Sequence, residues 1–319
     1  MKKLLFLFSL VFTLLLLWNC AEKTKETGTG EIVKEEKPVV TVSILPQRYF
    51  VERIVGDKYR INVMIPPGHS PHTYEPTPRE MKTVSDSVLY FRIGHIAFEN
   101  AWMDKIASLN KEMKIVDTSA GVSLITGEDV HEDEHGDEEG HDHHGGIDPH
   151  TWMSLSAVKI QLKHILDAVN EYETKNGRLD APVVYETNYR NFIRDIDELQ
   201  AENERILAPL KGKKFMVYHP SWSYFAREYG LIQFPIEIEG KTPGPADLKR
   251  IIDTAKNENI RVIFVQKQFD SHNARAVADE INGKVIMLDP LAPNWLDNMK
   301  QITFAFREAL QVDDGVTEQ

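Results

Sequence analysis

The chain has 319 residues, 37 of them basic and 49 acidic, for a formal net charge of -12. That balance sets nucleic acid aside as a partner and makes cationic ligands the natural expectation. With one cysteine, Cys20, there is no internal disulfide.

Met1 to Trp18 reads "MKKLLFLFSLVFTLLLLW", two lysines and then fifteen residues that are almost all apolar. The run is short for a membrane span of about 20 residues. It has the charged start and apolar core of an export signal, with an uncleaved anchor helix as the competing reading. "LLLWNC" looks like a bacterial lipobox, in which Cys20 becomes the lipidated N-terminus. Trp18 and Asn19 depart from the small residues usual there. Residues 1–20 are therefore expected to be a signal peptide. Residues 21–37, "AEKTKETGTGEIVKEEK", read as a flexible tether. The rest of the chain is then expected to be exported, to a periplasmic or cell-surface location.

About 280 residues remain, enough for one large domain or two ordinary ones. Short β-branched runs alternate with helical periods: "VVTVSIL" (39–45), then "RYFVERIVG"; "RINVMIPPG" (60–68), then "PREMKTVSDS"; "VLYFRIG" (88–94), then "AWMDKIASL"; and "MKIVDTS". This is the pattern of βα units around a parallel sheet. Residues 128–144 follow, with five histidines and nine carboxylates. Such a segment cannot pack a core and is expected to be disordered, as part of a loop spanning 127–146. His131, His135, His141, His143 and His144 are candidate weak metal ligands. The bland alternative is a solvated acidic loop.

Beyond "DPHTW", Val158, Leu162, Ile165, Val169 and Tyr172 share one helical face. From Pro182, the residues Tyr185, Tyr189, Phe192, Ile196 and Leu199 recur at 4-3-4-3 spacing, and Ile206 and Leu210 keep the phase. A helix of that length is roughly 40 Å long and reads as a rigid strut between two lobes. A second series follows: strands at "KKFMVYH" (213–219), "IQFPIEIE", "RVIFVQ" (261–266) and "KVIML" (284–288), with helices between and after them. The expected fold is α/β, with two lobes, each a parallel-type sheet flanked by helices. The N-terminal lobe takes residues 38–181, the linker helix 182–210 and the C-terminal lobe 211–312. Ligands of open parallel sheets sit beyond the carboxyl ends of the strands, here in the cleft between lobes.

His72 in "PPGHSPHTYEP", His219 ending "KFMVYH" and Asp289 in "LDPL" follow predicted strands, and His150 precedes a helix. Three imidazoles and a carboxylate suit a borderline divalent metal such as zinc. Taken singly, each histidine reads as a turn residue and the aspartate as a cap. His69, His95 and His272 also lie near strand ends, and His164 falls off its helix's apolar stripe.

From about Val40 to Leu310 the chain resembles the zinc- and manganese-binding solute-binding proteins of bacterial ABC transporters. The residues that carry the resemblance are "PHTYEPTP" (71–78), "DPHTW" (148–152), "YHPSWSYFAREYGL" (218–231), "VIFVQKQF" (262–269) and "LDPL" (288–291). It implies His72, His150, His219 and Asp289 as ligands of a transported metal ion, a membrane permease as partner, a lipid anchor and a monomer. Gln266 and Lys267 stand where the family often has Glu-Pro. His219, where manganese-type members carry Glu, favours Zn2+ over Mn2+ as cargo. Two other functions compete, a zinc-dependent hydrolase and a surface adhesin. The sequence has no H-E-x-x-H pair on a predicted helix to support the first.

Overall fold

A computed structural model describes residues 36–127, 146–238, 240–269 and 271–311. The signal peptide, nearly all of the tether and the histidine-rich segment, residues 128–145, lie outside the described residues. From Pro38 onward the chain forms one compact unit.

Two four-stranded, all-parallel sheets organise the chain. The first contains β1 (Val39–Val42), β2 (Arg60–Val63), β3 (Ser87–Arg92) and β4 (Lys114–Asp117), in the order β2-β1-β3-β4. The second contains β5 (Lys214–Val217), β6 (Ile232–Pro235), β7 (Val262–Gln266) and β8 (Lys284–Leu288), in the order β6-β5-β7-β8. The two orders are the same. Burial follows them: "VVTV" and "VIFVQ" are buried throughout, whereas "RINV" and "IQFP" at the edges are partly exposed. Parallel sheets covered on both faces require this of their inner strands.

Helices α1 (Leu45–Val55), α2 (Pro78–Ser85) and α3 (Ala97–Leu109) connect the first sheet. After β4 come a 3-10 turn (Thr151–Met153) and α4 (Leu155–Lys175), then α5 (Ala181–Leu207) and a second 3-10 turn (Ala208–Leu210). The second sheet is connected by α6 (Ser223–Tyr229), α7 (Pro245–Asn257) and α8 (His272–Glu280), and the last helix is α9 (Trp295–Gln311). Helix α1 starts earlier than the apolar period predicts because Pro46 sits in its first turn, where a missing N–H costs nothing. Strand β2 stops at Val63, short of the apolar run, because the chain turns through Pro66-Pro67-Gly68.

The long helix α5 has 27 residues and buries the expected stripe of Tyr185, Phe192, Ile196, Leu199 and Ile206. It is not bare, because α1, α4 and α9 pack along it. Helix α9 ties the two sheets together. At its start, Trp295 meets Phe50 edge-on at 5.1 Å and Phe192 at 6.4 Å. Further along, Phe306 packs on Phe215, Phe225 and Phe264 of the second lobe. One apolar core thus runs from Val40 through α5 to Leu310, with a smaller core on the outer face of the second sheet.

Two indoles stitch the lobes at the cleft. Trp152 Nε1 donates to the carbonyl of Pro290 at 2.9 Å, and Trp295 Nε1 donates to the carbonyl of Trp152 at 2.7 Å. Trp295→Phe, which removes the second donor, is expected to cost about 1–3 kcal/mol. Trp295→Ala, which also opens a cavity, is expected to cost about 3–5 kcal/mol. Urea unfolding of the three proteins measures both; equal stabilities for parent and Trp295→Phe would show that the indole hydrogen bond contributes nothing.

Candidate metal centre

His72 lies on the long loop after β2, and that loop is held by its own backbone. Tyr74 N donates to Ser70 O at 3.1 Å and His72 N to Ser70 Oγ at 3.2 Å. Helix α3 braces it from outside through Phe98 N, which donates to Pro71 O at 3.0 Å. Glu99, in the first turn of α3, is itself locked by the amides of Ile93 and Gly94 at 2.7 and 2.8 Å. His72 stands at the mouth of the site, open to solvent on its outer side.

His150 caps the 3-10 turn and is buried, with 6% of its surface exposed. Asp148 Oδ1 accepts from both its backbone N–H, at 2.9 Å, and its ring Nδ1, at 2.7 Å. Tyr224, from α6 in the other lobe, donates its hydroxyl to Asp148 O at 2.8 Å. Trp152 lies against the His150 ring at 5.1 Å.

His219 follows β5 at the point where that strand leaves the sheet. The ladder to β7 ends with Tyr218 N donating to Phe264 O at 2.9 Å. The side-chain amide of Gln266 then takes over, donating to His219 O at 2.5 Å and Ser221 Oγ at 2.9 Å and accepting from His219 N at 3.4 Å. A primary amide can do this because it both donates and accepts, whereas a carboxylate only accepts. Glu237, beyond β6, accepts from His219 Nδ1 at 3.0 Å. Phe269 stacks on the His219 ring at 4.9 Å and an interplanar angle of 17°.

The three Nε2 atoms converge. His72 to His219 is 3.0 Å and His219 to His150 is 3.3 Å, and all three ring nitrogens lie within 4.8 Å of one another. Metal–nitrogen bonds of 2.0–2.1 Å at a tetrahedral angle place neighbouring nitrogens roughly 3.3 Å apart, so the spacing fits a single ion. The donor chemistry fits as well. A carboxylate on Nδ1 forces the proton there in a neutral ring and leaves the Nε2 lone pair aimed at the centre.

Burial, and then the neighbouring His219 and His150, pushes the His72 pKa down to about 3. Burial foremost also lowers that of His219, against the raising effect of its bond to Glu237. Asp148 is held below the ordinary carboxylate range: burial alone would raise it, but His150 and a hydrogen bond from Ser223 outweigh that. The site therefore disfavours protons on His72 and His219 and keeps the Asp148 carboxylate ionised, as metal binding requires of such groups.

Asp289 immediately follows β8 and lies outside the three-imidazole cluster. Its Oδ1 accepts from Gln268 Nε2 at 3.0 Å and from Leu291 N at 2.9 Å. It lines an adjoining cavity with Arg48 and His69, while Gln268 and Leu291 line both cavities. His69 packs edge-on against Tyr74 at 5.2 Å rather than joining the cluster. His95 occupies a left-handed turn at φ 64°, His272 begins α8, and His164 reaches Ala120 O at 2.8 Å on the surface. Sequence reasoning assigned no role to Asp148 or Glu237 and noted Gln266 only as a departure. For Asp148 the signal was its place two residues before His150. Glu237 had no local signal.

The family "Zinc-uptake complex component A periplasmic" matches residues 40–309. The high-affinity zinc uptake system protein ZnuA of Bacillus subtilis is 27% identical, with 98% of this chain and 99% of its own length covered. The manganese ABC transporter substrate-binding lipoprotein PsaA of Streptococcus mitis is 28% identical, over 88% of this chain and 87% of its own. A crystal structure of ZnuA, 38% identical, superposes with a TM-score of 0.76 and covers 86% of this chain and 99% of its own. The converging imidazoles thus sit in a chain that belongs to the zinc-uptake component A family, the metal-binding substrate-binding proteins of ABC importers.

Proposed function

We propose that this chain captures Zn2+, in preference to Mn2+, outside the cytoplasm and hands it to a membrane ABC permease. The observation that carries the reading is the cluster of Nε2 atoms of His72, His150 and His219, two of them backed by carboxylates. Imidazole donors favour zinc over manganese, whose preference is for oxygen. Asp289 serves as the fourth ligand once an ion is present. A hydrolase would need a base free to take a proton from metal-bound water, and Asp148 and Glu237 are committed to Nδ1 hydrogens. No catalytic role is assigned.

His131, His135, His141, His143 and His144 add weaker sites on a loop that must be ordered when an ion binds, at a cost in backbone entropy. Cys20 carries the lipid that keeps the protein at the membrane. Among the described residues, no helix is long and apolar enough to cross a bilayer.

His150→Ala should weaken zinc binding at least about a hundredfold, since one ligand of four is worth several kcal/mol of the roughly 10–16 typical of structural zinc sites. Calorimetric titration checks this, and the parent's affinity in the variant would remove His150 from the site. The same titration on a chain lacking 127–145 should keep the tight event and lose weak ones; loss of the tight event would move the primary site to the loop.

Cys20→Ala should shift the mature protein from membrane to soluble fractions, because anchoring rests on the acyl chains. Equal membrane retention of both forms would point to an uncleaved helix instead.

Stability of the metal-free protein should fall as pH drops below about 6.5, the value near which an unfolded histidine titrates. The folded chain resists protonating His72 and His219, so the unfolded state takes up protons first and gains population. For His72 the window extends down to about pH 3. Melting curves from pH 7 to pH 5 should show the decline, and His72→Asn should flatten it. An unchanged slope in that variant would contradict the assignment.

A further inference from the structure

Oxygen Oδ1 of Asp289 is saturated. It accepts from the Gln268 amide at 3.0 Å and from the Leu291 backbone at 2.9 Å, and an oxygen with two lone pairs has room for two such donors. Among the described residues, Oδ2 accepts no hydrogen bond. The backbone is held too, as Asn298 Nδ2 donates to Asp289 O at 2.8 Å. The Leu291 contact is a local turn of the aspartate on its own chain. The Gln268 contact is different, because it arrives from the loop after β7. The last residue of β7, Gln266, holds the His219 backbone, and the same loop supplies Phe269 to its ring.

We propose that Gln268 is a specificity-determining positioning residue: by occupying Oδ1 it makes Asp289 meet the ion through Oδ2 alone. The proposal rests on the reading of Asp289 as fourth ligand. Three imidazoles plus one carboxylate oxygen make four donors, the number that suits tetrahedral zinc. If both oxygens were available the count would rise to five with a second hard donor, a change that favours manganese. Gln268 thus does for Asp289 what Asp148 and Glu237 do for His150 and His219. It fixes which atom faces the metal. Selectivity is then set partly by a neutral amide that never touches the ion.

The test uses the full-length protein, with Gln268→Leu and, as a second variant of similar reach, Gln268→Met. Three readouts are taken: zinc affinity, manganese affinity, and the visible absorption of the Co2+-loaded protein, which is intense for four-coordinate and weak for five- or six-coordinate cobalt. The parent should give the intense spectrum. Either variant should show a weaker one, with the zinc-to-manganese affinity ratio reduced about tenfold, as expected when a group that orients a ligand is lost. Parallel loss of both affinities with an unchanged cobalt spectrum would overturn the proposal and leave Gln268 as a general support. Asp289→Ala tells the two readings apart. If it keeps the parent's cobalt spectrum and zinc affinity, Asp289 is not a ligand and the inference falls with that assignment. If the parent itself shows no tight zinc binding, the proposed function fails first.

Discussion

The paired indole hydrogen bonds of Trp152 and Trp295 are the constraint on which the cleft depends. Two of the clustered rings, His72 and His150, come from the first lobe, and His219 comes from the second. A site divided in this way is only as stiff as the joint between its halves. Here the joint is a packed core rather than a free linker. Trp152 lies two residues from His150 and bonds to Pro290, next to Asp289. Trp295 closes the circuit and inserts between Phe50 and Phe192. Cores of this density switch between discrete packings or stay put, and they do not bend smoothly. The three clustered rings are therefore held in place with little ordering left to do.

Stiffness would be of no use if the rings carried protons. Rings whose nitrogens lie within 4.8 Å of one another resist being protonated together, because like charges that close repel. Burial and mutual proximity keep His72 neutral, and the outer carboxylates choose the tautomer of the other two rings. The same burial that makes the site competent also makes the metal-free protein sensitive to acid. Both follow from one arrangement of groups.

Much of the architecture was legible because its signals are local. Alternating β-branched runs and helical periods mark the two parallel sheets, and the 4-3-4-3 spacing from Tyr185 marks α5. The three histidines were visible through the short motifs that contain them, and the fold brings their rings together. What could not be read depends on contacts between distant segments. Glu237 meets His219 across 18 residues and Gln266 does so across 47, and no periodicity encodes either. What packs around α5 could not be read either, because the fit of Phe192 against Trp295 is decided by α9, roughly a hundred residues further on. Gln268 and Asp289 come from successive strand ends of one sheet, and only the register of β7 on β8 sets them side by side.

Asp148 and Glu237 place a carboxylate behind two of the three rings, with Glu237 buried and Asp148 nearly so. A carboxylate on the outer N–H makes a ring the stronger electron donor at its inner nitrogen. The pull of the centre on a cation is thereby raised by two groups that never contact the cargo.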